Sequence, residues 1–170
     1  MELLLHPELG ELEAPDRQML IQKHQYPVPR FDVLASLEEI LLSEKSMPLP
    51  EPLIRVAGMD SSDGLADAVL QICRASGVGA AIDRHQISRP SCFKTWLSEA
   101  QALNWALYGG EDFELVLCLA PHWAQLLVQR LGEEAAIIGT ITQDPSVVLI
   151  DHSNLSPPEA LNLGRGFQHF

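Results

Sequence analysis

The chain has 170 residues, 46% hydrophobic and 20% charged, and a formal net charge of −12 at pH 7. That length is enough for one well-filled core, and the composition is that of a folded soluble protein rather than a disordered one. The acidic balance, with no cluster of lysine or arginine, repels a nucleic-acid backbone and excludes DNA and RNA as partners. An anionic small substrate would be repelled too, unless a metal ion offset the carboxylates. No apolar run is long enough to span a bilayer, and Met1-Glu2-Leu3-Leu4-Leu5-His6 lacks the basic start of a signal peptide. Cys73, Cys92 and Cys118 form no close-spaced pair, so reduced, buried thiols in a cytoplasmic protein are expected.

The first helix is predicted from Ala14-Pro15-Asp16 to Lys23 or His24. The segment Tyr26-Pro27-Val28-Pro29-Arg30 stops it, because two prolines force an extended path. Asp32 is placed to cap a second helix with an apolar stripe of Val33, Leu34, Leu37, Ile40 and Leu41. Met47-Pro48-Leu49-Pro50-Glu51-Pro52 reads as a stiff linker, which assigns residues 1–50 to a helical lead-in and residues 51–170 to the main domain.

An apolar run from Leu53 to Met59 predicts the opening strand. It empties into Asp60-Ser61-Ser62-Asp63-Gly64, and a helical pattern begins at once, with Leu65, Ala68, Val69, Ile72 and Cys73 on one face. Ser62 or Asp63 is the expected N-cap and Gly77 the C-cap. Asp60 and Asp63 therefore sit at the mouth of a strand-to-helix turn. Two carboxylates are comfortable there only with a cation between them or with water reaching both. Magnesium carried on phosphate oxygens fits the first case. Helix capping and simple solvation fit the second, and the residues alone weight the two evenly.

Val78 to Asp83 reads as a short strand, and residues 84–98 as irregular, with His85 beside Arg84 an exposed loop histidine. Ser98 and Gln101 make a capping box for a helix carrying Ala102, Leu103, Ala106 and Leu107, with Trp105 read as core. A second acidic turn follows in Tyr108-Gly109-Gly110-Glu111-Asp112-Phe113-Glu114. Its paired glycines permit left-handed backbone, and Phe113, Leu115, Leu117 and Leu119 alternate as a strand. Solvated acids behind a glycine cap explain this turn locally. Its coincidence with the first, each at a helix–strand junction, points to a ligand at Glu111 and Asp112.

Pro121 opens a helix over His122 to Leu131, stopped by Gly132. Ala135 to Thr142 and Val147 to Asp151 are two further strands joined at Asp144-Pro145. The chain ends in Gly164-Arg165-Gly166-Phe167-Gln168-His169-Phe170, which fits a dangling tail, or an aromatic beside glycines that folds back over a site as a lid. The order is α-α, then β-α-β-loop-α-β-α-β-β, an alternating α/β or α+β domain. The sequence has no Walker loop, no dinucleotide-binding glycine motif after a strand, no Gly-x-Ser-x-Gly and no zinc-spaced Cys/His set.

Four segments together carry a resemblance. Asp60-Ser61-Ser62-Asp63-Gly64-Leu65-Ala66-Asp67, Gly109-Gly110-Glu111-Asp112-Phe113-Glu114-Leu115, the terminal Gly166-Phe167-Gln168-His169-Phe170 and His24-Gln25-Tyr26-Pro27-Val28-Pro29-Arg30 resemble the C-terminal half of the thiamine-monophosphate kinase family. Sister families, among them aminoimidazole ribonucleotide synthetase, selenophosphate synthetase and a hydrogenase maturation factor, share the second turn. The resemblance implies an α+β sandwich, a mixed sheet covered by helices with partial ferredoxin-like topology. It implies ATP-dependent phosphorylation of thiamine monophosphate to thiamine diphosphate with magnesium.

Carried over by residue, Asp60 and Asp63 would bind magnesium, Ser62 the ATP phosphates and Glu111 the thiamine moiety. Phe167 would pack on the thiamine rings. Asp67 matches the pattern without an assigned role, Asp112 is a candidate beside Glu111, and Arg30 is a candidate phosphate contact. The family's N-terminal domain, which binds ATP and forms the homodimer, is absent from this sequence. Residues 51–170 are thus expected to be a substrate- and magnesium-binding domain with little or no kinase activity alone. If the stripe of residues 33–41 faces the missing domain, the isolated chain would self-associate through it. The alternatives are a sister ATP-dependent synthetase of the selenophosphate or aminoimidazole ribonucleotide type, and a non-catalytic module that binds a partner or a nucleotide.

Overall fold

Proline at the first helical positions sets both ends of the observed helical layer. In α1 (Ala14–Gln25) Pro15 occupies a position whose N–H has no intrahelical partner anyway, and the helix buries none of its residues. The computed structural model describes residues 12–43, 55–162 and 164. The predicted Leu53–Ile54 strand start, the proline-rich linker and the Phe167-bearing terminus lie outside them. Helix α2 (Phe31–Ser43) follows the two prolines as expected, but Asp32 lies inside its first turn rather than before it. Of its stripe, Val33 and Ile40 are buried and Leu37 is half-buried, whereas Leu34 is 59% exposed.

The strands form two sheets where one mixed sheet was expected. Strand β1 (Ala57–Asp60) pairs antiparallel with β3 (Leu115–Cys118), Asp60 facing Leu115. The larger sheet has the order β4-β2-β5-β6, from β2 (Gly79–Asp83), β4 (Gly139–Thr142), β5 (Val147–Ile150) and β6 (Glu159–Ala160). Here β2 runs antiparallel to β4 and parallel to β5. The Asp144-Pro145 turn thus joins two strands that flank a third, and it crosses the start of β2. A Cβ on Gly79 would lie 2.0 Å from the Asp144 carbonyl oxygen and 2.1 Å from that of Ser146, so only glycine fits there.

The main core lies between the larger sheet and two helices, α3 (Leu65–Ser76) and α5 (Glu99–Tyr108). Ala66, Val69 and Cys73 of α3 and Leu103 and Leu107 of α5 pack on Ala80, Ile82, Val147 and Leu149. Gly77 ends α3 in the left-handed conformation, φ 65°, as its position predicted. The Ser98–Gln101 capping box starts α5. A second cluster sets Val33 and Ile40 of α2 against Leu127 of α6 (Pro121–Leu131). Each such side chain contributes about 1.5–3 kcal/mol on burial. The inner part of the stripe is therefore covered by this chain's own α6, which removes it as the route to self-association; Phe31 and Leu34 remain exposed.

Residues 84–98 are less irregular than their composition suggested. One helical turn, α4 (Phe93–Trp96), brings Phe93 and Trp96 edge-on to Trp105, with ring centroids 5.3–6.1 Å apart. Trp105 is half-buried in that trio. Among the described residues no helix is long and apolar enough to cross a membrane.

Candidate functional site: two acidic turns tied together

The apolar face of α3 presses the helix onto the core, which sets its first residue at the open end of β1. The N-cap is Gly64, at φ 107° and without a side-chain cap, so neither Ser62 nor Asp63 plays the capping role expected of it. Gly64 is required by proximity as well as by φ. A Cβ there would stand 3.0 Å from the Leu107 carbonyl oxygen and 3.3 Å from that of Gly109. The first turn thus backs directly onto the end of α5, where the second turn begins.

Three hydrogen bonds of 2.9 Å or shorter close the gap between the turns. The Ser61 amide donates to the Glu114 carbonyl at 2.9 Å, and the Glu111 amide donates to the Ser62 carbonyl at 2.6 Å. The Ser61 hydroxyl, on a residue only 3% exposed, donates to the Asp112 carbonyl at 2.6 Å. Asp60 and Asp63 are thereby placed beside Glu111 and Asp112. Ser61 joins Ser62 as a residue of the junction, and no local pattern distinguishes the two serines.

The left-handed residue of the second turn is Glu111, at φ 64°. Gly109 is in ordinary extended backbone at φ −65°. It must be glycine because a Cβ would approach the Trp105 carbonyl oxygen to 2.5 Å. The glycine pair therefore serves close approach at Gly109, and the left-handed backbone falls on a functional candidate.

The lead-in segment supplies partners for two carboxylates of the second turn. Nε2 of His24 lies 3.2 Å from a Glu111 carboxylate oxygen. The Arg30 guanidinium donates to both Asp32 oxygens, at 3.0 and 2.9 Å, and to Glu114 at 2.5 Å. These bonds, those to Asp32 foremost, hold Arg30 still more firmly in its charged form and pull the Asp32 carboxyl below its usual range. A phosphate at Arg30, as expected from the sequence, would share the guanidinium with these two carboxylates. The protein crowds the Asp112 carboxyl although the residue keeps solvent access. That desolvation, then the charge of Glu114, pushes its pKa up against the pull of Lys23. Asp67, in the first turn of α3, accepts a long bond from Gln71 at 3.4 Å.

The donor set suits a hard cation that brings its own ligands. Asp60 is exposed at the end of β1 and Asp63 half-buried, and both offer carboxylate oxygen. Among the described residues no three His, Cys, Asp or Glu side chains are grouped so as to hold a metal alone. Magnesium, which retains water and phosphate oxygens as ligands, needs no such cage. Beside Asp60 lies an apolar trough of about 390 Å³, walled by Pro27, Pro29, Phe31, Leu34, Phe113 and Leu115.

A second cavity, of about 510 Å³, has Arg84, His85 and Asp151 among its walls. The Asp151 side chain is buried, and its Oδ1 lies 3.0 Å from Nε2 of His85 and accepts the Ser153 amide at 2.8 Å and the Ser153 hydroxyl. The Ser153 hydroxyl, then His85, holds the Asp151 carboxyl far below the usual range. His85, read from sequence as a plain loop histidine, thus has a buried carboxylate partner that no local pattern announced.

A family model described as AIR synthase related protein, C-terminal domain, matches residues 17–152. Over 165 residues the chain is 52% identical to the thiamine-monophosphate kinase of Synechococcus elongatus, a match that covers 95% of this chain and 46% of that protein. The thiamine monophosphate kinase of Aquifex aeolicus superposes with a TM-score of 0.57 at 25% identity, over 87% of this chain and 44% of that one. AaThiL complexed with AMPPCP and TMP superposes with the same TM-score, 0.57, at 22% identity, over 94% and 45%, a likeness of fold. This chain spans about half the length of the curated relatives it matches. The span of residues 17–152 includes both acidic turns, α2 and α1 from residue 17 onward. The chain belongs to the family of AIR synthase related C-terminal domains and is similar within it to those of the thiamine-monophosphate kinases.

Proposed function

We propose that this chain is the substrate- and magnesium-binding half of a thiamine-monophosphate kinase, which transfers the γ-phosphoryl group of ATP to the phosphate of thiamine monophosphate and so makes thiamine diphosphate. The observation that carries the proposal is the junction of the two acidic turns, with Asp60 and Asp63 on one side and Glu111 on the other. The acceptor phosphate is already an anion at neutral pH, so the reaction needs no strong general base. It needs repulsion between two phosphates offset and the two groups held in line.

Asp60 and Asp63 are the residues that would hold magnesium, whose contribution is to neutralise phosphate charge. Ser62, half-buried beside them, is the candidate for ATP phosphate contact. Glu111 offers a carboxylate to the cationic thiamine moiety, which would take the place of His24 as its partner. Phe167 is proposed on the thiamine rings, where a cation gains from an aromatic face. Asp67 and Asp112 keep supporting places in the first turn of α3 and beside Glu111.

The other half of the reaction is assigned to an N-terminal domain that binds ATP and forms the homodimer in a cytoplasmic full-length protein. The exposed trough beside Asp60, lined by Phe31, Leu34 and Phe113, is the surface offered to it. Calorimetry with thiamine monophosphate, with and without magnesium, tests the proposal. Magnesium-dependent binding that weakens about tenfold or more in Asp63→Ala, equivalent to about 1.4 kcal/mol, is expected. Absence of binding in both conditions contradicts it. A coupled assay on the chain alone is expected to show no thiamine diphosphate formed from ATP.

A further inference from the structure

We propose that Ser61 is a positioning residue for Glu111, its buried hydroxyl holding that residue in the left-handed backbone from which its carboxylate serves a ligand. The inference rests on the role proposed above for Glu111. Among the described residues only two other than glycine have positive φ, Glu111 at 64° and Asn154 at 58°. Asparagine tolerates that region, since its short side chain bonds locally; glutamate has no such compensation, and the conformation is strained for it. A strained residue persists only where its surroundings over-determine it, and such residues gather at functional sites.

Here the surroundings are two neighbouring residues of the other turn. Before the strained centre, the Glu111 amide is bound to the Ser62 carbonyl at 2.6 Å. After it, the Asp112 carbonyl is bound by the Ser61 hydroxyl, also at 2.6 Å. Gly64 blocks retreat by packing against residues 107–109. Adjacent serines thus divide the work. Ser61, 3% exposed, turns its hydroxyl to the protein, while Ser62 gives the protein its carbonyl and stays half-buried at the surface of the turn. The first turn consequently sets the backbone of the second, and a cation held by Asp60 and Asp63 would be felt at Glu111.

The test uses the nitrogen-15- and carbon-13-labelled chain with Ser61→Ala and, as the variant that keeps the hydroxyl, Ser61→Thr. Three quantities are read by NMR: amide hydrogen exchange at Glu111, the carbon shifts that report its φ, and the spread of amide shifts on addition of magnesium chloride. In Ser61→Ala the Glu111 amide is expected to exchange about tenfold faster, as loss of one buried hydrogen bond implies. Its carbon shifts should leave the left-handed range, and magnesium should move residues 60–63 without moving 111–114. Amides of β2 should keep their rates, and Ser61→Thr should restore the wild-type pattern. Unchanged exchange and shifts at Glu111 in Ser61→Ala would overturn the proposal, as would an acceleration that includes β2 equally. If magnesium moves nothing in the wild type while Ser61→Ala still releases Glu111, the positioning role stands and the magnesium assignment fails.

Discussion

The two acidic turns hold similar side chains by different means. In the first, residues 60–64, position is set by backbone: a glycine wedged against α5, and a serine whose amide and hydroxyl both bind carbonyls. In the second, residues 109–114, the carboxylates are met by side chains of the lead-in, Glu111 by the His24 ring and Glu114 by the Arg30 guanidinium. The first turn owes its shape to Gly64 and to the Ser61 amide and hydroxyl. A turn whose carboxylates are already paired exchanges partners when a cationic ligand arrives. In the proposed function the first turn takes the metal and the second the organic cation.

The comparison breaks most severely at the glycine. Gly64→Ala puts a side chain at φ 107°, 3.0 Å from the Leu107 carbonyl oxygen, and is expected to cost about 2–4 kcal/mol in urea unfolding. Arg30→Ala attacks the charge-held turn instead and leaves Asp32 and Glu114 unpaired beside each other. The pair is partly exposed, so the loss should be about 1–2 kcal/mol, shrinking as salt is added. A small loss from Gly64→Ala together with a large one from Arg30→Ala would reverse the assignment of means.

Glu111 sharpens the contrast, because it belongs to one turn and is shaped by the other. Glu111→Gly and Glu111→Ala both delete the carboxylate and its His24 pair; glycine tolerates positive φ but loses more backbone entropy on folding, so the difference between them is the strain net of that loss. The glycine variant should be the more stable by about 1 kcal/mol in thermal or urea unfolding, and equal stability would deny a strain larger than that loss. The smallest effect is expected at Asp112. Its folded-state pKa is raised by desolvation and by Glu114, so the folded state holds the proton more tightly than the unfolded chain. The stability this lends is present in acid and is lost as pH rises through the raised value. Asp112→Asn should therefore gain on the wild type from the ordinary carboxylate range toward neutrality, and unfolding at a series of pH values checks the sign.

What the sequence made legible was whatever local chemistry decides. Pro15 and Pro121 start helices, Gly77 ends one in left-handed backbone, and the Ser98–Gln101 box caps another, each through bonds to residues only a few positions away. What it hid was decided across the fold. Ser62 and Asp63 were expected to cap α3, yet Ser61 is bound to residues 51 and 53 positions onward, and Gly64 takes the cap. The strand order of the larger sheet depends on a turn crossing the start of β2, which Gly79 allows and no strand pattern reveals. The glycine pair at 109–110 was a correct signal of tight geometry with the wrong residue in the left-handed place. The partners of Glu111 and Glu114 lie in the lead-in, where the resemblance marks Arg30 for a phosphate and not for these carboxylates. The paired acidic turns were visible as a coincidence, and their connecting hydrogen bonds were not.

The central claim is that the two turns are one site, and a double-mutant cycle tests it. Asp63→Asn and Glu111→Gln, singly and together, are compared with the wild type for affinity toward thiamine monophosphate with magnesium by calorimetry. The structure predicts non-additive losses, with a coupling energy of about 1 kcal/mol or more. Losses that add to within about 0.5 kcal/mol would show the turns acting independently and would contradict the account.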